Sequence, residues 1–353
     1  MESESTVLVT GGAGFIGSAV VRHLIDRTSY RVVNLDALTY SASLESVASV
    51  ENSDRYVFEK VDIRDRDRVR SVLQTRKPAA ILHLAAETHV DRSIDDPCEF
   101  VQTNIVGTFQ LLEAVREYLR GRTDDTAHFR FCHISTDEVF GTLESPGSFD
   151  EDSPYAPRSP YSASKAAADH LVRAWHHTYD LPVIVANCSN NYGPYQFPEK
   201  LVPHMIISAL EGRSLPVYGD GGQVRDWLHV EDHARALIRI LERGAPGETY
   251  LVGGRSERTN LDVTHSICSA LDSYRPLQGG QSYRERIEFV EDRPGHDRRY
   301  AVDCGKLERE LGWRAKVDFD QGIERTIRWY LDNESWWKPL RGRYDGQRLG
   351  LRK

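Results

Sequence analysis

Val7-Leu8-Val9-Thr10-Gly11-Gly12-Ala13-Gly14-Phe15-Ile16-Gly17 runs from an apolar, β-branched strand into a helix through glycines at 11, 14 and 17. A turn of this kind lets backbone N–H groups and the N-terminus of the next helix approach a pyrophosphate with no Cβ in the way. Glycine turns after strands are common, so the spacing alone is a weak sign. The next strand strengthens it by ending in Leu35-Asp36, 19 residues beyond Gly17. An acid there accepts hydrogen bonds from an adenosine ribose and repels a 2′-phosphate, which favours NAD over NADP. The competing reading of Asp36 is a solvated turn residue.

Working outward, short β-branched runs alternate with segments of helical period: Thr6 to Val9, Arg31 to Leu35, Tyr56 to Val61, Ala80 to Leu84, Phe129 to Ile134 and Val183 to Ala186. Between them lie helical patterns at Ser18 to Asp26, Asp67 to Gln74, Glu99 to Tyr118 and Ser162 to Tyr179. This alternation predicts an α/β fold with a doubly wound parallel sheet, Rossmann-like, whose strands are buried on both faces. Two further strand ends, Asp62-Ile63 and Leu84-Ala85-Ala86-Glu87, fall where such sheets bind ligands. Asp62 either binds adenine or caps the helix that follows; small Ala85 and Ala86 let the backbone lie against a cofactor. After about Asn187 the rhythm changes. Pro194, Pro198, Pro203, Pro216 and the Gly219 to Gly222 cluster punctuate shorter elements, with helical pattern at Asp232 to Arg243 and Leu261 to Leu271 and a strand at Ile287 to Val290. A smaller mixed α/β lobe packed closely on the sheet is the simplest reading.

Composition limits the function. The 353 residues carry 45 Lys plus Arg against 53 Asp plus Glu, a net charge of -8 spread along the chain, which argues against a surface that coats nucleic acid. No apolar run reaches the roughly 20 residues of a membrane helix. The opening Met1-Glu2-Ser3-Glu4-Ser5 lacks the basic and hydrophobic regions of a secretion signal, so a cytoplasmic protein is expected. Cys98, Cys132, Cys188, Cys268 and Cys304 are odd in number and show no C-x-x-C spacing. They read as reduced, mostly core thiols, and no metal site is expected.

Tyr161-Ser162-Ala163-Ser164-Lys165 places a phenol and an amine four residues apart, on one face of a helix start. A phenol of reference pKa about 10 is a poor base at neutral pH until positive charge stabilises the phenolate. Lys165 and an oxidised nicotinamide provide such charge. The pair follows a strand that ends His133-Ile134-Ser135-Thr136-Asp137-Glu138-Val139-Phe140-Gly141. Taken alone, Thr136 with two acids reads as a helix cap favoured by the helix dipole.

With these segments the chain resembles the extended short-chain dehydrogenase/reductases and, within that group, the dTDP-glucose 4,6-dehydratases, from the glycine loop to about Tyr330. Further marks are Ala86-Glu87-Thr88-His89-Val90-Asp91-Arg92-Ser93, Cys188-Ser189-Asn190-Asn191-Tyr192-Gly193-Pro194-Tyr195 and Asp292-Arg293-Pro294-Gly295-His296-Asp297. Thr88 stands where the family carries Ser, with the hydroxyl kept. The resemblance implies a hydro-lyase that oxidises C4 with tightly held NAD, eliminates water across C5 and C6, and returns hydride to C6. It implies Tyr161 as acceptor of the C4 hydroxyl proton beside Lys165, Thr136 on the C4 oxygen, Glu138 as C5 base and Asp137 as acid for the departing C6 hydroxyl. There is a chemical reason for the acid pair: a 4-epimerase needs only to remove and return hydride, whereas water loss needs a base and an acid, each typically worth about 10²–10⁴ in rate.

The cofactor contacts implied are Gly11, Gly14, Phe15, Ile16 and Gly17; Asp36, Ala37, Leu38 and Thr39; Asp62 and Ile63; Leu84, Ala85, Ala86 and Glu87; and Thr103, Tyr161, Lys165 and Asn191. A nucleoside diphosphate brings about two negative charges that an acidic protein must meet locally. The implied substrate contacts are Thr88, Thr136 and Asn190; Lys200, Leu201, Val202, Pro203 and His204; Pro216, Val217 and Tyr218; Arg225 and Asn260; and Asp292, Arg293, Pro294, Gly295 and His296. Tyr218 would lie against the base. His89 either reaches the sugar or fills the cleft wall. Residues 1–188 are thus expected to bind NAD and carry catalysis, and 189–335 mainly to bind the sugar nucleotide, with some segments returning to the first domain. Residues 336–353 form a tail, with Trp336 and Trp337 packed and the basic end through Lys353 solvated. A homodimer through segments 99–118 and 162–179 follows from the resemblance, since both segments are equally explained by covering the sheet. The rival functions are a sugar-nucleotide 4-epimerase, a uronate decarboxylase, or a non-catalytic NAD-binding scaffold. Thymidine against uridine, one methyl group apart, stays open.

Overall fold

A computed structural model describes residues 5–120, 128–144, 146–344 and 349–351. The acidic start at Met1 to Glu4 and part of the basic tail, 345–348 and 352–353, lie outside the described residues. The first half runs β1 (Thr6–Thr10), α1 (Phe15–Arg27), β2 (Arg31–Asp36), β3 (Tyr56–Lys60), α2 (Arg66–Arg76) and β4 (Ala80–His83). Short helices α3 (Val90–Asp95) and α4 (Pro97–Phe100) lead through a π-helical stretch, Val101–Gly107, into α5 (Thr108–Arg120), then β5 (Arg130–Thr136), α6 (Pro160–Tyr179) and β6 (Val183–Cys188). There follow β7 (Asn190–Tyr192), α7 (Leu201–Leu210), β8 (Leu215–Tyr218), β9 (Val224–His229), α8 (Val230–Arg243) and β10 (Thr249–Val252). The chain ends with β11 (Glu257–Thr259), α9 (Asn260–Tyr274), β12 (Ile287–Val290), α10 (Gly305–Leu311), α11 (Phe319–Asp332) and α12 (Glu334–Arg341). Among the described residues no helix is long and apolar enough to cross a membrane.

The main sheet has the order β10-β6-β5-β4-β1-β2-β3, and every neighbouring pair is parallel. Its strands are apolar throughout because each face meets helices. Val7 and Val9 enter a core with Val20, Leu24, Leu237 and Leu241, while Leu8 between them enters another with Leu73, Leu111, Val115 and Val172. Val32 and Val33, and Ala80 and Ile81, divide in the same way. The order reverses between β1 and β4, and a crevice opens there at the strands' carboxyl ends.

Beyond β6 the chain builds small sheets, β11-β9-β7 and β12-β8, over a third core of Met205, Ile206, Trp227, Ile267, Ile327 and Trp337. It also crosses back: α8 packs on α1 and β10 extends the main sheet beside β6. The single helix expected over 99–118 is broken. The wider π stretch presents Thr103 to the crevice and directs Asn104, whose side chain accepts from Glu87 N at 2.8 Å and donates to Ser164 Oγ at 2.9 Å. Four of the cysteines are buried and Cys98 is exposed, all of them free.

Candidate active site

The glycine loop cannot carry side chains where it matters. Gly11 has φ +71° and a Cβ there would lie 2.8 Å from Ala85 N; a Cβ on Gly17 would lie 2.0 Å from Gly11 O. Gly14 caps α1 without any side-chain hydrogen bond, so the helix N-terminus stays open. Gly17→Ala should therefore cost about 1–3 kcal/mol of stability by overpacking and release NAD, read together as a lower Tm and loss of co-purified cofactor.

Gly11, Gly14, Phe15, Ile16 and Gly17 line a cavity of about 300 Å³, which continues past Asp36, Ala37 and Thr39, then Asp62 and Ile63. Asp36 is a buried carboxylate, not a solvated turn residue: it accepts from Ala13 N at 2.9 Å and Leu38 N at 2.8 Å while facing the cavity. Leu38 itself, with φ 57°, makes that turn and does not line the cavity. The Asp62 carboxylate is held by Arg64 at 2.8 and 2.9 Å, and α2 is capped instead by Asp65, which accepts from Arg68 N. Leu84, Ala85, Ala86 and Glu87 form the facing wall with Thr103 and Asn191. The glycine cradle and the acid at the end of β2 together fit NAD.

Deeper in the same cavity stand Thr136, Asp137, Glu138, Tyr161 and Lys165. β5 ends at Thr136, whose Oγ1 accepts from Glu138 N at 3.2 Å, so the acids begin a 3-10 turn, Asp137–Phe140, at the sheet's carboxyl edge. The capping expected of this triplet is thus real, and it aims both acids into the cleft. Asp137 is buried; Oδ1 accepts from the Thr136 hydroxyl at 3.3 Å, and Oδ2 meets no partner in the structure. Burial, then the proximity of Glu138, pushes its pKa well above the usual carboxylate range. Glu138 opens further onto the cleft; burial raises its pKa too, opposed by Arg293, Arg225 and Lys200.

A Ser159 capping box with Pro160 starts α6, and Tyr161 N donates to Ser93 Oγ at 3.1 Å. Tyr161 and Lys165 therefore face the cavity one helical turn apart. Burial, then Glu138, raises the Tyr161 phenol well above its usual pKa, while burial lowers that of Lys165, whose Nζ donates to Ile134 O at 2.8 Å.

A second cavity of about 220 Å³ opens from the first, and Thr88, Glu138, Asn190, Glu199 and Lys200 line both. Leu201, His204, Pro216, Val217, Tyr218, Arg225, Asn260, Arg293 and His296 surround the second. Val202 and Pro203 are buried in α7 and do not line it, and Asp292, Pro294 and Gly295 border an adjoining hollow shared with Arg293 and His296. Asp91 ties this wall together, accepting from Tyr218 OH and Arg293 NH1, each at 2.9 Å. His89 lines the second cavity while its Nδ1 accepts from Arg92 N as the cap of α3.

Sequence reasoning passed over Glu199, which accepts from Tyr40 OH at 2.7 Å and Arg92 Nε at 3.0 Å at the junction of the cavities. It also passed over Tyr344 and Leu349, brought to the second cavity by the segment after α12. Neither has a spacing signal; only the tertiary fold brings them in. Trp337 packs in the third core, with Nε1 donating to Tyr330 O, and Trp336 meets Trp329 and Tyr195 edge-on.

The family model described as GDP-mannose 4,6 dehydratase matches residues 8–326. A dTDP-glucose 4,6-dehydratase of Neisseria meningitidis serogroup B is 56% identical, covering 98% of this chain and 99% of its own length. One from Escherichia coli is 54% identical with the same coverage. Among solved structures, the dTDP-glucose 4,6-dehydratase DesIV of Streptomyces venezuelae with NAD and TYD bound superposes with a TM-score of 0.87 at 45% identity, covering 95% of this chain and 99% of that one. The UDP-glucose 4-epimerase of Thermus thermophilus in complex with NAD gives 0.81 at 30% identity, covering 93% and 99%.

Proposed function

This chain belongs to the GDP-mannose 4,6 dehydratase family, and from that membership and its acid pair we infer that it is an NAD-dependent hydro-lyase converting dTDP-glucose to dTDP-4-keto-6-deoxyglucose. The observation that carries the reading is the place of Glu138. It borders both the cavity of the glycine loop and the cavity of Arg225 and Arg293, with the buried Asp137 beside it. A 4-epimerase has no use for two carboxyls at the meeting point of cofactor and sugar, and a scaffold has none for either.

Gly11, Gly14, Gly17, Asp36 and Ala85 hold NAD, which when bound supplies a reversible hydride store facing the sugar. Tyr161 takes the C4 hydroxyl proton as hydride leaves C4. Lys165, as an ammonium one turn away, stabilises the phenolate that burial otherwise disfavours. Thr136 hydrogen-bonds the developing C4 carbonyl. That carbonyl acidifies C5, whose proton passes to Glu138. Asp137 gives its proton to the C6 hydroxyl, which departs as water. Hydride return to C6 and a proton to C5 close the cycle, so the reaction is net dehydration with no second redox substrate. Thr88, Asn190, Lys200, Arg225, Arg293 and His296 supply the donors and charge for the diphosphate, and Tyr218 borders the base.

The enzyme acts in the cytoplasm as a homodimer on this reading, through the faces of α5 and α6 turned away from the sheet, since their apolar stripes are taken up by the sheet core. Incubating the purified protein separately with dTDP-glucose, UDP-glucose and CDP-glucose tests the substrate. A 4-keto-6-deoxy sugar, whose enolate absorbs near-ultraviolet light in alkali, should form fastest from dTDP-glucose. A galactosyl product, or equal rates with all three, would overturn the assignment. The thymine methyl group limits the preference over uridine to about 1–3 kcal/mol, or roughly 10–200-fold.

A further inference from the structure

Beneath the Tyr161–Lys165 pair lies a buried polar group that the chemistry above leaves unused. Asp169 follows Lys165 by one turn of α6 and is wholly buried. Its Oδ2 accepts from Ser135 Oγ and Tyr155 OH, each at 2.8 Å, and from Asn187 Nδ2 at 3.3 Å. Its Oδ1 stands 3.1 Å from His133 Nε2, and that nitrogen stands 3.5 Å from Lys165 Nζ. The line from the active site into the protein is therefore Tyr161, Lys165, His133, Asp169, drawn from one helix and the strand it covers.

A carboxylate this deep persists only if its surroundings balance its charge. Burial alone would raise the Asp169 pKa; contact with His133, nearby Lys165 and the Ser135 hydroxyl outweigh it and hold the group below the usual carboxylate range. The titratable groups facing Lys165 are Tyr161 and Asp169 from α6, His83 from β4, His133 from β5 and Cys188 from β6. Burial leaves the histidines and Cys188 uncharged at neutral pH: the histidines fall well below their ordinary value, His133 to about 4, and Cys188 rises to about 12. Asp169 is the carboxylate in that set. Arg173 extends the network outward, donating to Tyr155 OH at 2.8 Å.

We propose that Asp169, a buried carboxylate one helical turn along from Lys165, is a positioning residue that keeps Lys165 an ammonium beside Tyr161. The inference rests on the roles given above to Tyr161 and Lys165. Without the carboxylate, the Ile134 carbonyl remains but no negative charge offsets the desolvation of the enclosed amine, which sheds its proton at lower pH. Tyr161 then loses the charge that makes it a base.

The test compares the holoenzyme with Asp169→Asn, which keeps the shape and removes the charge. Turnover of dTDP-glucose by the parent tests the functional reading; only the difference between parent and variant tests this inference. In single-turnover oxidation at C4 the alkaline limb, set by loss of the Lys165 proton, should move to lower pH by about one unit or more. In a Lys165→Met background the same substitution should have no further effect on rate. A lower Tm with the alkaline limb unmoved, or full additivity with Lys165→Met, overturns the proposal in favour of a purely structural role. Should Asp169→Asn fail to fold, lysine-labelled NMR of the Asp169→Glu and Asp169→Gln holoenzymes decides. Lys165 losing its proton at lower pH in the glutamine variant than in the glutamate variant supports the inference, and equal titration in the two overturns it.

Discussion

Glu138→Gln should lower dehydration about 10²–10⁴-fold while sugar oxidation at C4 continues. Glutamine has the size of glutamate and can hydrogen-bond where it did, but it cannot accept the C5 proton. The expected signature is loss of C5 exchange with solvent deuterium in a variant that still reduces its nicotinamide in a single turnover. A second consequence follows from the electrostatics. After burial, the charge on Glu138 is the largest influence raising the Tyr161 pKa, so neutralising position 138 makes the phenolate easier to form. The acid limb of C4 oxidation, along which the rate rises as Tyr161 loses its proton, should move to lower pH in the variant. Full C5 exchange in Glu138→Gln would place the base elsewhere.

The parts of this site that lie on single strand-to-helix connections were legible in the sequence. The glycine loop, Asp36, the acids after β5 and the Tyr161–Lys165 pair each announce themselves within a few residues, because local geometry and chemistry impose the pattern. Contacts assembled from distant segments were not legible in that way. Glu199 is a glutamate beside a lysine with no periodicity around it, and it matters because Tyr40 and Arg92 converge on it across more than 100 residues. Asp169 reads as one more residue on a helix until β5 is laid beneath it. The return of α8 and β10 to the main sheet is likewise a tertiary event: their apolar patterns say that a face is buried, not against what. The π stretch at Val101–Gly107 also escaped, since its residues are ordinary helix formers and helix propensity says nothing about hydrogen-bond register.

Asp137→Asn should do the opposite of Glu138→Gln, leaving C5 exchange intact while water loss slows by about 10²-fold or more. Asp137 Oδ2 has no hydrogen-bond partner among the described residues. An ionised carboxylate with one oxygen sealed from solvent and given no donor is unstable, whereas the neutral acid carries no charge to be solvated. Burial and the adjacent Glu138 push in the same direction, so Asp137 enters the cycle protonated. Asparagine imitates that neutral acid in shape and charge but holds no proton it can give. The imitation makes the prediction sharp. If Asp137 is neutral in the parent, substitution leaves the field at Glu138 unchanged, and the pH dependence of C5 exchange should superimpose on that of the parent. Were Asp137 ionised, removing its charge would make Glu138 a weaker base and draw the acid limb of exchange downward. A downward shift, or water elimination at the parental rate, would show that the proton for the leaving hydroxyl comes from another group.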